Sequence, residues 1–308
     1  ILSFNVGTPV SVFSYDTGTS ILTIPSVTVA GTTYTNIKIT IASIVSIGSS
    51  APIGSAGFAS VSANGGQHTM AIKQDGSLWA WGLNFSGEFG DGTTIGSLTP
   101  KQVGTGFKAV SVGANFTVAI KEDGSLWEWG YNYLADPDPD DGFTDDDIAP
   151  KQIGTGFKAV SAGFAHTVAI KEDGSLWAWG NNEDGRLGDG TTIDSLVPKQ
   201  IGTGFKAVSA GFAHTVAIKE DGSLWAWGTN FSAELGDGTR IDSLVPKQIE
   251  IGTEFKTVSA GESRTYAIKE DGSLWGWGGL LSGGPLGNGD EGSYTPKLIG
   301  IGFKTVSA

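Results

Sequence analysis

The groups in this sequence that could do chemistry are three histidines, an Asp-rich loop and a scatter of aromatics between predicted strands. His68, His166 and His214 are the only histidines. They hold one equivalent place in a recurring stretch whose third copy, residues 163–180, reads GFAHTVAIKEDGSLWAWG. Imidazole is a common metal ligand and the side chain that most readily moves a proton near neutral pH. Two other copies carry Phe116 and Arg264 at the same place, and a ring of metal ligands would not tolerate either. The position therefore reads as structural, wanting a large side chain that hydrogen-bonds nearby backbone. No Ser/His/Asp arrangement stands out, and with no cysteine there is no thiol nucleophile, disulfide or thiolate metal site. No catalytic residue is nominated, and the expectation is a non-enzymatic protein.

Residues 136–147 read DPDPDDGFTDDD. Close carboxylates repel unless a cation joins them, and Ca²⁺ takes about 6–8 oxygen ligands. Asp136, Asp138, Asp140, Asp145 and Asp147 are the candidate Ca²⁺ ligands, Ca²⁺ being the one cofactor considered. Gly142 falls one place later than in the usual calcium loop, and Pro137 and Pro139 stiffen its start. A solvated acidic loop is the competing reading. Phe85, Tyr131, Tyr133, Phe143 and Phe231 also lie between predicted strands. Rigid scaffolds usually carry their binding residues on loops, so these five are candidates for contact with a partner.

The elements that must position these groups follow from periodicity. Residues 166–171 alternate in hydrophobicity, as a strand does. Asp173-Gly174 fits a two-residue type I′ turn, and residues 175–180 form the return strand. Trp177 and Trp179 are two apart and so share a face of it. Asp-Gly recurs at Asp75, Asp123, Asp173, Asp221 and Asp271, with spacings of 48, 50, 48 and 50. A fixed period of this size signals a propeller or solenoid. Each period holds four strand-like pieces; in the third copy these are 157–162, 166–171, 175–180 and 197–201. Four strands per unit is the make-up of a propeller blade. All ten Trp form five pairs, Trp79/Trp81, Trp127/Trp129, Trp177/Trp179, Trp225/Trp227 and Trp275/Trp277, read as inter-blade core rather than as a sugar site. Leu-Gly-Asp-Gly-Thr, as at 187–191, lacks the Gly-Lys-Ser/Thr of a phosphate loop and reads as a tight turn.

The recurring Gly-x-x-His-Thr-x-Ala-Ile, Asp-Gly-x-Leu-Trp-x-Trp-Gly and Leu-Gly-Asp-Gly-Thr resemble the repeat of the RCC1-like (regulator of chromosome condensation) propellers, across residues 58–308. The resemblance implies an all-β fold of four-stranded blades around a central channel. Five blades are evident. Two arrangements are open: a five-blade ring in which residues 68–73 join a last blade made from 273–278, 295–299 and 303–308, or more blades, with residues 1–57 involved. The family's namesake exchanges guanine nucleotide on a small GTPase, but no exchange wedge and no basic tail is identified here.

Residues 1–50 differ. They carry no Trp and read as a small β module with strands near 9–15, 20–29 and 34–47. Ile37, Ile39, Ile41, Val45 and Ile47 share one face of the last strand and are the candidate assembly surface. Residues 51–57 read as a linker and 58–308 as the propeller. The chain has 308 residues, 48 Gly and a net charge of −13. Such acidity excludes an electrostatic footprint for nucleic acid or anionic membrane, and no apolar run is long enough for a transmembrane helix. The composition points to an extracellular or bacterial cell-surface protein. The expected function is a structural or protein-interaction scaffold, with a protein partner or a second copy joined through the N-terminal strand. The alternatives are a protein-binding inhibitor that uses one loop face and a Ca²⁺-dependent adhesion or carbohydrate-binding protein.

Overall fold

The computed structural model describes the backbone of residues 14–16, 21–29 and 32–40. With side chains it describes residues 57–63, 67–131, 148–249, 252, 254–280 and 286–308. The chain divides into two compact units, Ile1–Pro52 and Ile53–Ala308.

In the first unit, β1 (Ser14–Asp16), β2 (Ile21–Val29) and β3 (Thr32–Thr40) form an antiparallel sheet in the order β1-β2-β3. The strand expected over 34–47 is β3. It pairs with β2 along one side, Ile37 opposite Ile24 and Ile39 opposite Leu22, and its other side is the sheet edge. Pro25 lies within β2 and cannot donate to a ladder. β1 pairs only with Ile21–Thr23, so the proline falls where β2 has a single neighbour. Ile41, Val45, Ile47 and linker residues 51–56 lie outside the described residues.

The second unit holds five four-stranded antiparallel sheets. Blade one is β4 (Phe58–Ser62), β5 (His68–Lys73), β6 (Leu78–Gly82) and β7 (Ser97–Gly104). Blade two is β8 (Phe107–Val112), β9 (Phe116–Lys121), β10 (Leu126–Gly130) and β11 (Lys151–Gly154). Blade three is β12 (Phe157–Ala162), β13 (His166–Lys171), β14 (Leu176–Gly180) and β15 (Ser195–Gly202). Blade four is β16 (Phe205–Ala210), β17 (His214–Lys219), β18 (Leu224–Gly228) and β19 (Ser243–Gln248). Blade five is β20 (Phe255–Ala260), β21 (Arg264–Lys269), β22 (Leu274–Gly278) and β23 (Ser293–Gly300). No helix occurs among the described residues. β5 stays in its own sheet beside β4, so the five-blade ring closed by residues 68–73 is not the arrangement. Residues 303–308 lie against blade five as a further first strand would. Phe303 donates its N–H to the Gly272 carbonyl, as Phe205 does to Gly174.

The hairpin turn differs from the two-residue type expected. In blade one, Gly76 N–H donates to the Lys73 carbonyl and Lys73 N–H to the Ser77 carbonyl. Only Gly76 has positive φ, 76°. The turn is thus a longer loop closed by a left-handed glycine, a type I turn with a bulge. Asp75 adopts ordinary φ because its work is side-chain bonding. Its Oδ1 accepts from Ser77 N–H at 3.0 Å and from Ser77 Oγ at 2.6 Å. Ser77 Oγ in turn accepts from Trp79 Nε1 at 2.9 Å.

That bond also corrects the reading of the Trp pairs. The first Trp of each pair is only half-buried. It is tied to the turn serine and capped by a lysine ammonium, as Lys171 Nζ caps Trp177 at 4.4 Å from the ring centre. The second is inter-blade core: Trp129, Trp179, Trp227 and Trp277 are buried. Each packs with the next element of an apolar cluster; Trp179, for example, lies with Ile120, Leu126, Phe157 and Ala169.

Candidate protein-binding face

The histidines come first because the sequence singles them out. His68 Nε2 lies 2.9 Å from Thr117 Oγ1, His166 Nε2 3.0 Å from Thr215 Oγ1, and His214 Nε2 2.9 Å from Thr265 Oγ1. Each pair joins one blade to the next. The threonines donate their own hydroxyl protons onward, to the carbonyls of Glu88, Arg186 and Glu234. With its proton committed, each threonine can only accept from the imidazole. The histidines are therefore neutral with the proton on Nε2. Each Nδ1 is buried without a partner. Burial holds the pKa of His68 and His214 down to about 4. Burial pushes His166 well down too, helped by the nearby Arg186 charge. These are inter-blade struts that bond to a side chain in the next blade, not to nearby backbone as expected.

The same carbonyls hold the buried tryptophans. Trp129 Nε1 donates to Glu88 O at 2.8 Å, Trp227 Nε1 to Arg186 O at 3.0 Å and Trp277 Nε1 to Glu234 O at 2.7 Å. The loop that supplies each carbonyl is the turn motif of the preceding blade, and its first glycine is the seat of the indole. A Cβ placed on Gly188 would lie 2.6 Å from Trp227 Nε1. The motif is therefore more than a tight turn, because glycine is required there by the neighbouring blade.

Blade two departs from this scheme. Phe116 stands where histidine would, buried and unable to bond, and Thr167 Oγ1 in blade three is buried without a partner among the described residues. Residues 132–147, which carry Asp136, Asp138, Asp140, Asp145, Asp147, Tyr133 and Phe143, lie outside the described residues. Trp179 Nε1 donates instead to Glu128 Oε2 at 2.8 Å. Glu128 projects from β10, where blades one, three and four have Ala80, Ala178 and Ala226. In blade five Arg264 takes the histidine place, and its Nε has no partner.

The first-to-second-strand turns and the loops after each Trp-Gly open on one face. There the backbone links blade to blade: Ala114 N–H donates to Phe164 O, Phe164 N–H to Gly211 O, and Phe212 N–H to Gly261 O. This stacking brings Phe164 and Phe212 together, ring centres 4.4 Å apart. They stay 46% and 43% exposed. Beside them is a cavity of about 430 Å³ lined among others by Tyr131, Asn181, Glu183 and Arg186. Arg186 is buried and ion-paired to Asp184 at 2.5 Å, with its Nε unpartnered. Of the expected partner residues, Tyr131 lines this cavity. Phe85 and Phe231 are exposed but do not line it, and Arg240 covers the Phe231 ring at 4.9 Å. Sequence reading missed Phe164 and Phe212. The signal was present: a large aromatic at a turn position that is Ala114 and Glu262 in the neighbouring copies.

A model of the RCC1-like domain matches residues 36–308. The chain belongs to the RCC1-like family. Among solved structures it is similar to yeast RCC1 (Prp20) bound to Kap60, at 21% identity and a TM-score of 0.69, over 82% of this chain and 66% of that one. Human WBSCR16 is similar at 20% identity and a TM-score of 0.69, over 82% and 70%. Prp20p from Saccharomyces cerevisiae, characterised with its binding to Gsp1p and histones, gives 22% identity and 0.67, over 82% and 67%. The chain thus spans about two thirds of the length of the yeast relative. These likenesses establish the fold. No curated protein sequence matches the chain. Among the described residues, no group of three or more His, Asp or Glu is placed to hold a metal.

Proposed function

We propose that this RCC1-like chain is a non-enzymatic protein-interaction scaffold whose partner docks on the face that carries Phe164 and Phe212. The stacked, half-exposed pair of phenylalanines beside the Arg186 cavity carries the reading. Aromatic and arginine side chains concentrate binding energy at protein interfaces, and large apolar groups left in water on a rigid framework mark such surfaces. The net charge of −13 favours a partner with a basic rim, because complementary charge steers encounter. The yeast relative's association with Kap60 supports a protein, rather than a small molecule, as the ligand. Affinity capture with the wild-type chain and with a Phe164→Ala/Phe212→Ala double variant tests this. The captured partner is expected to be lost from the double variant and kept by Phe231→Ala. Equal capture by all three would refute it.

A second reading has support of its own. β3 is a sheet edge paired on one side only, and such edges accept strands from other chains. Self-association through β3 and an extracellular or cell-surface location complete that reading, with the acidic residues 136–147 as a Ca²⁺ loop. Calorimetric titration with Ca²⁺ is expected to show a chelator-reversible heat, and silence at millimolar Ca²⁺ removes the Ca²⁺ element.

A further inference from the structure

Blade one leaves in water the face that the later blades bury. Phe58 is 45% exposed, whereas Phe107, Phe157, Phe205 and Phe255 are at most 4% exposed. Trp81 is half-buried while its four counterparts are buried. Leu98 is fully exposed. In later blades the carbonyl at the Leu98 position is engaged by the preceding blade: Ile148 O accepts from Gly92 N–H, Leu244 O from Gly190 N–H and Tyr294 O from Gly238 N–H.

Blade five presents the complementary half of that contact. A Cβ on Gly90, Gly188 or Gly236 would strike the next blade's indole at 2.6–2.8 Å. At Gly287, the equivalent seat, a Cβ meets only Ile299 at 3.5 Å, and at Gly289 it meets nothing. Ser259 Oγ accepts from Ala308 N–H at 2.8 Å, the bond that Ser209 Oγ makes with Ala260. Residues 303–308 repeat the Phe-x-x-Val-Ser-Ala pattern of residues 58–63. They belong to no sheet and are almost wholly exposed.

We propose that the first-blade face of one copy docks head to tail on the fifth blade of a second copy, extending between chains the contact that joins successive blades within one. Trp81 takes the Gly287 seat. The Leu98 carbonyl meets Gly289 N–H. Ala63 N–H replaces that of Ala308 on Ser259, and residues 303–308 give way. The occupant is a second copy because the contact already exists at four junctions of this chain, and the two free faces are its two halves. A contact between unlike surfaces adds copies until a ring closes or a filament grows.

Light scattering on a sizing column, run over a range of concentrations, tests this. The wild-type chain is expected to form species larger than a dimer as concentration rises. Val61→Asp/Leu98→Asp spoils the first-blade face at exposed positions. Gly287→Asn fills the seat with the residue that best tolerates positive φ. Each variant alone is expected to associate at least about tenfold more weakly, with its thermal unfolding showing that it is folded. An equimolar mixture retains one sound junction and is expected to stop at a dimer. A wild-type chain that stays monomeric at every concentration overturns the proposal, as does undiminished association by Val61→Asp/Leu98→Asp.

Discussion

Residues 154–180 and 202–228 are identical, yet their buried groups are bonded differently. In blade four, Trp227 donates to the Arg186 carbonyl, and Thr215 is held by that carbonyl and by His166. In blade three, Trp179 donates to the Glu128 carboxylate, and Thr167 Oγ1 has no partner. The fold of a blade comes from its own sequence, but the satisfaction of its polar atoms comes from the blade before it. Blade two, with Phe116 for histidine and Glu128 for alanine, makes a different junction. The carboxylate restores one hydrogen bond and leaves the other unmade.

The contrast can be broken most severely at the indole seat. Gly188→Ala forces a side chain into φ of +81° and into the Trp227 ring. Strain and overpacking together are expected to cost about 2–6 kcal/mol, read from the denaturant midpoint. Gly190→Ala, where a Cβ meets only Val245 at 3.7 Å, keeps the φ strain alone and is expected to cost less than half as much. Equal losses would show that the seat does not hold the indole.

Acid separates the junctions next. The folded-state pKa of His68 and His214 is about 4, against a model value of 6.5. Between these values the unfolded chain binds more protons, so stability is complete above about pH 6.5 and falls as pH drops toward 4. Each histidine contributes on the order of 3 kcal/mol to that fall. His68→Phe/His214→Phe, which copies Phe116 of blade two, is expected to flatten the slope of melting temperature against pH in this window. An unchanged slope would place the acid sensitivity elsewhere.

The finest distinction lies between two threonines in identical sequence. Thr215→Val strands the His166 Nε2–H and is expected to cost about 1–3 kcal/mol. Thr167→Val removes a hydroxyl that has no partner and is expected to be neutral or slightly stabilising. Chemical denaturation of both variants is the measurement, and equal costs would mean that Thr167 is bonded after all.

Much of this was legible beforehand. Alternating hydrophobicity and the recurring Asp-Gly gave the strands, their grouping in fours and the five blades, because these are local periodicities. The Trp pairs were only half-read. Trp177 and Trp179 are equivalent in pattern, but one reaches back to Ser175 in its own turn and the other to a residue 51 positions away. The candidate face was least legible. Tyr131 was found among loop aromatics, whereas Phe164 and Phe212, 48 residues apart in sequence, meet only because successive turns bond to each other.

By itself, then, the sequence determined the blade: the hairpin, its Asp-Ser-Trp turn, the fourfold strand set and the period. Those depend on contacts within a few dozen residues. The tertiary structure decided which proton each histidine carries, which tryptophan is core, which glycine is a seat and which aromatics share a surface. Those depend on stacking one repeat upon another, and a repeat does not encode what its predecessor will offer it.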